Sequence, residues 1–291
     1  MNISTKLLHP LFVGEVRGID LRAPVDAAAV AAIVEASNRY AVLVFPEQNI
    51  DDAQQLAFST HLGPLETSIK KLRPGHKLRL DQRVSDISNV NFDGGLQAAD
   101  DRNRMYGLGD RLWHTDSSFK ALPAKYSLLS ARAVTSSGGQ TQFADLRAAY
   151  DALLEAMKAQ LEGLVAEHSI IYSRSTIGFT DFSDEERANL PAVPQKIVRT
   201  HPGSGRKTLY LASHAMAIRG MPVPEARLLL RDLIEHATQQ QFVYTHRWRV
   251  GDLVMWDDRC TMHRARPYES SERREMHRTT VSDVASTLEQ L

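Results

Sequence analysis

Short apolar segments that resemble β-strands recur along the chain and are separated by turn residues. The segment 40–46 is largely apolar and ends at Pro46, which is typical of a buried strand. The tetrapeptide 136–139 (Ser-Ser-Gly-Gly) predicts a turn between two further strands. The complete set of other strand-like segments is 126–134, 140–144, 196–201, 207–211, 241–248, 252–257, 259–263 and 275–282.

One helix is predicted directly after the first of these strands. The acidic pair Asp51-Asp52 supplies a cap, and the helix is expected to run to about Leu62, before Gly63-Pro64. Gln54 and Gln55 are placed to complete a capping box with the acidic pair.

Two longer segments carry helical periodicity. After Asp145, apolar residues recur at i, i+3, i+4, i+7, i+8 and i+11 and predict one continuous apolar face over 146–157. The segment 224–238 repeats this spacing. Many short strands with few helices predict a mainly β, α+β fold, in which a two-sheet antiparallel core carries helices on its outside.

The region from about residue 70 to 109 differs from its surroundings because it is polar, charged and poor in apolar pairs. Long segments of this kind are typical of lids over active sites. We therefore predict a poorly packed, lid-like insertion there, within one domain that spans residues 1–291.

Composition indicates which partners and which cellular compartment are expected for this protein. Lys plus Arg and Asp plus Glu number 35 each, so nothing favours nucleic acid or an anionic membrane as the main partner. No apolar run approaches the ~20 residues of a membrane helix, and the N-terminal segment lacks the apolar core of a signal peptide. The single cysteine, Cys260, excludes an internal disulfide framework. We expect a soluble, cytoplasmic protein.

A candidate metal site lies in the sequence Trp113-His114-Thr115-Asp116. Because side chains alternate along a strand, His114 and Asp116 are expected to point to one side and Thr115 to the other. A His-x-Asp pair alone is a weak signal. His263, on a distant strand-like segment, would complete the two-histidine, one-carboxylate set that holds non-haem Fe(II) with open coordination positions.

Two arginines follow at fixed distances from this third ligand. Arg274 lies 11 residues after His263, and Arg278 lies four residues beyond. The polar segment between 264 and 273 is long enough to reverse the chain, so a returning strand would place both arginines on one face beside the metal. Since a guanidinium group can donate two parallel hydrogen bonds to a carboxylate, the two arginines imply that the site binds two carboxylates. The neighbouring Arg273 is predicted to face solvent.

These residues resemble the signature of the Fe(II)/2-oxoglutarate-dependent dioxygenases, in particular the taurine/2,4-dichlorophenoxyacetate dioxygenase family. The resemblance extends over roughly residues 8–281. It is carried by the segments 8–12, 85–90, 112–119, 145–153, 198–207 and 235–238 through His263. The resemblance implies a double-stranded β-helix, or jelly-roll, core with flanking helices.

The resemblance also implies the metal and cosubstrate ligands. His114, Asp116 and His263 would bind Fe(II). Thr141 and Arg274 would bind the distal carboxylate of 2-oxoglutarate, whose keto-acid end chelates the metal. Molecular oxygen is the second cosubstrate, and ascorbate is expected to help keep the iron reduced.

Five residues are assigned to the substrate by the same resemblance. Arg278 would hold the substrate carboxylate. His214 and Lys71 resemble substrate-pocket residues, and Asn89 and Trp113 match positions that line the iron pocket.

The implied reaction is hydroxylation of the carbon next to the carboxylate of an aryloxyacetate such as 2,4-dichlorophenoxyacetate. The products would be a phenol and glyoxylate, together with succinate and carbon dioxide. A homo-oligomer is also expected. The sequence departs from the resemblance at Gly95, where a lysine is expected, so one polar contact to the aryloxy acid is predicted to be missing.

Three alternatives stay open at this point. The nearest is a taurine-type sulfonate or alkyl-sulfate dioxygenase of the same superfamily, because an arginine also binds those anions. A different class is a Zn-dependent hydrolase that uses the same three ligands, although it gives the paired arginines no obvious task. The third is a non-enzymatic β-barrel sensor of a small acid.

Overall fold

The computed structural model describes residues 3–72, 75 and 77–290, with Lys70 described by its backbone alone. In these ranges the strands are β1 Ser4–His9, β2 Val13–Arg17, β3 Val42–Phe45, β4 Ser85–Asp86, β5 Ala124–Ala133, β6 Thr141–Asp145, β7 Val165–His168, β8 Val193–Lys196, β9 Val198–Thr200, β10 Lys207–Leu209, β11 Ala215–Ile218, β12 Val243–His246, β13 Leu253–Asp257, β14 Thr261–Ala265 and β15 Glu275–Ser282. The α-helices are α1 Ala27–Tyr40, α2 Asp52–Thr60, α3 Arg102–Gly107, α4 Leu146–Asp151, α5 Glu155–Leu161, α6 Ile170–Ser175, α7 Asp184–Asn189 and α8 Val223–Ala237. Short 3₁₀ helices span Ile69–Leu72, Leu108–Arg111 and Gln240–Phe242.

Two sheets form the core. The larger has the order β1-β2-β3-β13-β5-β15-β4 and is antiparallel except where β2 runs parallel to β3. The smaller has the order β12-β6-β14 and is antiparallel throughout. Phe143 on β6 packs against Trp256 on β13, with 5.3 Å between ring centroids. The predicted two-sheet core with helices outside is therefore confirmed.

The period of two along each strand separates the two faces of the larger sheet. Leu43 and Phe45 pack on one side in an apolar cluster that includes Ile33 of α1. Val42 and Val44 pack on the other side, in the layer between the sheets. Because side chains alternate along the strands, one face of the larger sheet packs against helices, and the other face points towards the smaller sheet, where the candidate site lies.

Helix α2 begins as predicted, but one of the two glutamines has a different role. The Asp51 carboxylate accepts a hydrogen bond from the Gln54 N–H, and the Gln54 side chain accepts one from the Asp51 N–H. These two bonds form a capping box. Gln55 lies on the buried side of the helix, where it donates to carbonyl groups of β5 and β15. It fastens the helix to the sheet.

The continuous helix predicted over 146–157 is wrong. Helix α4 ends at Asp151 and α5 begins at Glu155, because Leu153 closes a tight turn on Tyr150 and the backbone of Leu154 is extended. Leu154, expected on the apolar face, is 79% exposed. The apolar periodicity belongs to two short helices that approach the core separately.

Two parts of the segment 70–109 pack against the rest of the protein, and its role as a lid-like insertion stays a prediction. Strand β4 pairs with β15, with Ser85 opposite Arg278. The side chains of Met105 and Tyr106 pack with an apolar cluster that includes Phe179 and Phe182. The polar composition of the segment did not predict these contacts, because one short strand and two apolar side chains are enough to attach it to the rest of the protein. Residues 73, 74 and 76 lie outside the described residues.

Candidate metal centre and active site

The structure brings the three predicted metal ligands together. His114, Asp116 and His263 are buried, and one ligand atom from each lies within 4.8 Å of the other two. The Asp116 carboxylate oxygens lie 3.9 Å from Nε2 of His114 and 3.7 Å from Nε2 of His263. Donor atoms that share one ion through bonds of ~2.1 Å lie ~3 Å apart, so shifts below ~1 Å would complete the site. These residues fit a single metal ion.

The backbone around the His-x-Asp motif differs from the predicted strand. His114 forms a single β-bridge with His263, in which each N–H donates to the carbonyl group of the other residue. Asp116 instead begins a turn, and Ser117 after it has a φ of 53°. The expected alternation still holds, because the Thr115 hydroxyl points away and donates to two buried carbonyl groups. The bridge sets the spacing of the two imidazoles.

Hydrogen bonds orient the candidate ligands. The Leu112 carbonyl lies 2.8 Å from Nδ1 of His114, and this contact directs Nε2 towards the other ligands. Ser127 Oγ donates to Oδ2 of Asp116 over 2.8 Å. Arg278 Nη1 donates to Oδ1 of the same carboxylate over 2.5 Å. Such contacts fix the direction in which each ligand presents its free electron pair.

The electrostatics of the cluster suit a cation. Burial raises the pKa of Asp116, but Arg278 and the two imidazoles outweigh burial and hold the pKa at about 2. Burial and the neighbouring His114 hold the pKa of His263 well below its ordinary value. An ionised carboxylate beside a neutral imidazole is the protonation state that metal binding requires.

A second carboxyl group lies behind Asp116. Asp258 is buried, and it accepts hydrogen bonds from the Trp256 indole N–H over 3.0 Å and from the Asp116 backbone N–H over 3.2 Å. Burial and the nearby Asp116 carboxylate raise the pKa of Asp258 well above its ordinary value. Asp258 therefore supports the backbone of the candidate ligand through this hydrogen bond.

A cavity of about 210 Å³ opens beside the three ligands. Eight of the ten residues predicted from the sequence line it: Asn89, His114, Asp116, Thr141, His214, His263, Arg274 and Arg278. The other two do not. Lys71 is exposed on the 3₁₀ helix Ile69–Leu72, and Trp113 packs in an apolar cluster beneath the Arg264 guanidinium. The substrate roles of these two residues stay predictions.

Thr141 and Arg274 both line this cavity. Arg274 is 4% exposed, and its Nη2 donates to the Gly139 carbonyl over 3.2 Å. Thr141 Oγ1 accepts a hydrogen bond from the Trp248 indole N–H over 2.9 Å. Burial lowers the pKa of Arg274, which is still far above neutrality because a guanidinium stays charged in proteins. A buried cation beside a hydroxyl group can bind a carboxylate.

Asn89 fastens the chain next to Arg274. Its Oδ1 accepts the Arg274 backbone N–H over 2.8 Å, and its Nδ2 donates to the Glu272 carbonyl over 2.8 Å. Asn89 is 4% exposed. The side chain therefore holds the entry to β15 in place, in addition to lining the cavity.

Arg278 and His214 line other walls of the cavity. Arg278 lies on β15, four residues after Arg274, and its Nε is buried without a partner among the described residues. Nδ1 of His214 lies 2.7 Å from the Ser173 hydroxyl. The His214 ring is 6.0 Å from the ring of His114, and Phe119 lies 5.0 Å away on the cavity side. Arg273, as predicted, points outwards.

A second buried group of potential ligands has a structural explanation. His201, Asp257 and Cys260 also lie within 4.8 Å of one another. Asp257 is already occupied, because Arg259 donates to both of its oxygens and His201 Nε2 lies 2.9 Å from Oδ2. Burial raises the pKa of the Cys260 thiol, so the thiolate that a metal needs is disfavoured.

Sequence reasoning missed Ser127 and Asp258, which contact Asp116 from 11 and 142 residues further along the chain. Ser127 is an isolated serine within a buried strand, and nothing in its local sequence marks it. Asp258 gave one signal, because it forms the acidic pair Asp257-Asp258 at the turn of the strand-turn-strand segment before His263.

Comparisons with known proteins agree with this geometry. Residues 4–280 match the family described as "Taurine catabolism dioxygenase TauD, TfdA family". The alpha-ketoglutarate-dependent 2,4-dichlorophenoxyacetate dioxygenase of Cupriavidus pinatubonensis is 46% identical over 285 residues, which cover 98% of this chain and 99% of that protein. The (S)-phenoxypropionate/alpha-ketoglutarate-dioxygenase of Sphingobium herbicidovorans is 39% identical, with 96% of this chain and 95% of that protein covered.

Solved structures give the same result. The crystal structure of AAD-2 in complex with Mn(II) and N-oxalylglycine superposes with a TM-score of 0.91 at 50% identity, with both chains covered completely. A putative alpha-ketoglutarate-dependent 2,4-D dioxygenase from Burkholderia xenovorans gives a TM-score of 0.84 at 44% identity, and covers 97% of this chain and 98% of the other.

Fold, ligand set and relatives define an oxidoreductase of the 2-oxoglutarate-dependent dioxygenase class, which uses Fe(II), 2-oxoglutarate and oxygen. Within that class, the chain belongs to the TauD/TfdA family. The predicted jelly-roll fold and the predicted family are therefore confirmed. The hydrolase and sensor alternatives are not supported.

Proposed function

We propose that this dioxygenase hydroxylates the carbon next to the carboxylate of an aryloxyacetate such as 2,4-dichlorophenoxyacetate. The hydroxylated product would then break down to a phenol and glyoxylate, while 2-oxoglutarate becomes succinate and carbon dioxide. One observation carries the proposal: two arginines four residues apart, Arg274 and Arg278, line the same cavity as the candidate metal ligands. This arrangement suits an enzyme that binds two carboxylic acids at once.

The metal and cosubstrate would occupy the buried end of the cavity. His114, Asp116 and His263 would hold Fe(II), which when bound supplies the activation of oxygen needed to oxidise an unactivated C–H bond. Arg274 and Thr141 would bind the distal carboxylate of 2-oxoglutarate. The guanidinium supplies the charge and the hydroxyl group supplies a second hydrogen bond.

Arg278 would hold the carboxylate of the substrate. Its Nη1 is engaged by Asp116, but 19% of the side-chain surface stays exposed where Arg278 lines the cavity, and this part can meet a carboxylate. A carboxylate bound there would lie next to the metal ligand, so the adjacent carbon would lie close to the site of oxidation. Fixing that carbon is the main contribution of the protein to the reaction rate.

The aromatic part of the substrate would extend away from Arg278. Phe119 and His214 line the cavity with their rings nearly perpendicular to each other. Burial and the nearby Arg174 hold the pKa of His214 well below its ordinary value, so the imidazole is neutral. A neutral imidazole and a phenyl ring together form a wall against which an aryl group can pack.

Succinate formation from a panel of acids tests this proposal. Purified enzyme with Fe(II), 2-oxoglutarate and oxygen would be supplied with 2,4-dichlorophenoxyacetate, taurine or an alkyl sulfate. We expect succinate and 2,4-dichlorophenol in equal amounts with the aryloxyacetate, and background succinate with the other two. Efficient turnover of taurine or the sulfate, with none of the aryloxyacetate, would overturn the proposal in favour of the sulfonate or sulfate alternative.

Cell location and assembly are separate expectations. In the described ranges, no helix has both the length and the apolar character needed to cross a bilayer. We propose, from the sequence, that the enzyme acts in the cytoplasm as a homo-oligomer. Size-exclusion chromatography with light scattering would test the assembly.

A further inference from the structure

Tyr268 lines the same cavity as Arg274 and has no part in the proposed function so far. The Arg274 guanidinium lies over the Tyr268 ring, with Cζ 5.3 Å from the ring centroid. A guanidinium within about 6 Å of an aromatic ring centroid is attracted to the face of the ring. The contact therefore restrains the side chain that is proposed to bind the distal carboxylate of 2-oxoglutarate.

The backbone at Tyr268 is attached to the turn that precedes β6. Tyr268 forms a β-bridge with Gly138, and the neighbouring Pro267 carbonyl accepts the Gly139 N–H over 3.0 Å. The two segments are in close contact, because a Cβ at Gly138 would clash with the Pro267 carbonyl oxygen. Gly138 also has a φ of 75°, which favours glycine. The turn therefore fixes the position from which the Tyr268 side chain extends.

A second attachment follows four residues after Tyr268. The Glu272 carboxylate accepts hydrogen bonds from the backbone N–H and the hydroxyl group of Ser136, each over 2.6 Å. The Glu272 carbonyl group accepts a further hydrogen bond from the Asn89 side chain over 2.8 Å. Because the segment is held on both sides of Tyr268, its ring is kept against the Arg274 guanidinium.

The same turn restrains Arg274 through its backbone. Nη2 of Arg274 donates to the Gly139 carbonyl over 3.2 Å, and a Cβ at Gly139 would lie only 3.1 Å from Nε of Arg274. Gly139 and the Tyr268 ring thus contact one guanidinium group, the first through a hydrogen bond and the second through the ring face. A side chain restrained by two contacts presents its remaining donors in a defined position.

A defined position for Arg274 favours one length of cosubstrate. The distance from a metal-bound keto-acid end to the distal carboxylate depends on the number of methylene groups between them. 2-Oxoadipate is one methylene group longer than 2-oxoglutarate. A guanidinium that can move adapts to either acid, whereas a restrained one discriminates between them.

We propose that Tyr268 is a positioning residue that sets the selectivity of this enzyme for 2-oxoglutarate over longer 2-oxo diacids, through the contact of its ring with Arg274. The proposal rests on the role proposed above for Arg274. Because Gly139 acts through its backbone, substitution of Tyr268 loosens Arg274 while the hydrogen bond to the Gly139 carbonyl can still form.

The test compares the Kd values of 2-oxoglutarate and 2-oxoadipate, measured for each variant by anaerobic titration of the Fe(II)-loaded protein. Their ratio cancels a general change in the site. Tyr268→Leu removes the aromatic ring, and Tyr268→Phe keeps it. Tyr172→Leu is a matched control, because the Arg227 guanidinium lies over the Tyr172 ring at the same distance of 5.3 Å, but Tyr172 is not among the residues that line the cavity.

We expect the wild type to bind 2-oxoglutarate more tightly than 2-oxoadipate. Tyr268→Leu should reduce this preference at least about threefold, which is the factor expected for a weak cation–π contact. Tyr268→Phe and Tyr172→Leu should keep the wild-type preference. If Tyr268→Leu does not fold, Tyr268→Gln replaces it with the same expectation.

Three results would overturn the proposal: no preference in the wild type, an unchanged preference without the ring, or an equal loss in Tyr268→Phe. Arg274→Met separates these results from a failure of the cosubstrate site itself. We expect this variant to lose most of its affinity for 2-oxoglutarate. Wild-type affinity in Arg274→Met would refute the role of Arg274 and, with it, that of Tyr268.

Discussion

Arg278 and Asp116 form a direct ion pair, with Nη1 donating to Oδ1 over 2.5 Å. Asp116 is also the carboxylate of the candidate metal site, so one side chain links the metal end and the substrate end of the cavity. Ser127 donates to the other oxygen of this carboxylate, and Asp258 accepts a hydrogen bond from the Asp116 backbone N–H. Metal binding and substrate binding are thus built on one shared group.

The first prediction concerns this shared carboxylate. Asp116→Ala should abolish succinate formation because the site loses its anionic ligand. It should also destabilise the metal-free protein by about 3–5 kcal/mol, since Arg278 is left buried without its partner. Asp116→Asn keeps an oxygen for Arg278 and should recover much of that stability without activity. Urea unfolding of the metal-free proteins measures the difference, and equal stabilities of the two variants would contradict the ion-pair argument.

Removal of the Ser127 hydroxyl should weaken the metal site selectively. Its hydrogen bond fixes the Asp116 carboxylate, and contacts of this kind typically contribute about 10–100-fold to metal affinity. We expect Ser127→Ala to raise the Kd for Fe(II), measured anaerobically by titration, within that range. Ser59→Ala removes a buried hydroxyl away from the site and serves as the control. Equal effects of the two substitutions would show that Ser127 acts only through packing.

Asn89 should act through Arg274. Asn89→Ala removes the acceptor for the Arg274 N–H and the donor to Glu272, so the start of β15 loses its fastening. The KM for 2-oxoglutarate should rise about tenfold or more, because one unsatisfied buried group corresponds to about 1–3 kcal/mol. The KM for the aryloxyacetate should change less. A selective effect on the aryloxyacetate would instead assign Asn89 to the substrate.

Much of this site follows from short-range regularities. The alternation of side chains around Thr115 made it possible to predict that His114 and Asp116 face the same side. The expected return of the chain as β15 made it possible to predict that Arg274 and Arg278 lie on one face. The contact of Asp258 with Asp116 could not be predicted, because the two residues are 142 positions apart. Ser127 is nearer in sequence, but nothing in its local sequence marks it as a partner of Asp116. The break at Leu154 was equally hidden, since apolar periodicity does not reveal where a helix is interrupted.

A pH effect on stability is expected from His168. Burial lowers the pKa of this histidine to about 3, whereas an unfolded histidine has a pKa of 6.5. The folded state therefore binds fewer protons, so stability is retained above pH 6.5 and falls as the pH decreases towards 3. Between pH 6.5 and 5 the loss attributable to His168 is about 2 kcal/mol.

Replacing His168 with a side chain that cannot be protonated between pH 6.5 and 5 should remove this pH-dependent loss of stability. The free energy of unfolding of His168→Gln should depend less steeply on pH than that of the wild type, whereas His61→Gln, at an exposed position, should leave the slope unchanged. Denaturant titrations at pH 6.5 and 5 give both slopes. A wild-type slope in His168→Gln would mean that His168 is not the titrating group.

Arg278 is expected to anchor the substrate while Arg274 anchors 2-oxoglutarate, and Arg278→Ala separates these two roles. The measurement is the KM for 2,4-dichlorophenoxyacetate, together with the Kd for 2-oxoglutarate determined anaerobically with Fe(II). We expect this KM to rise about 100-fold, because the substrate loses a charged hydrogen-bond partner, and the Kd for 2-oxoglutarate to stay within about threefold of wild type. Equal weakening of both acids, or an unchanged KM, would contradict it.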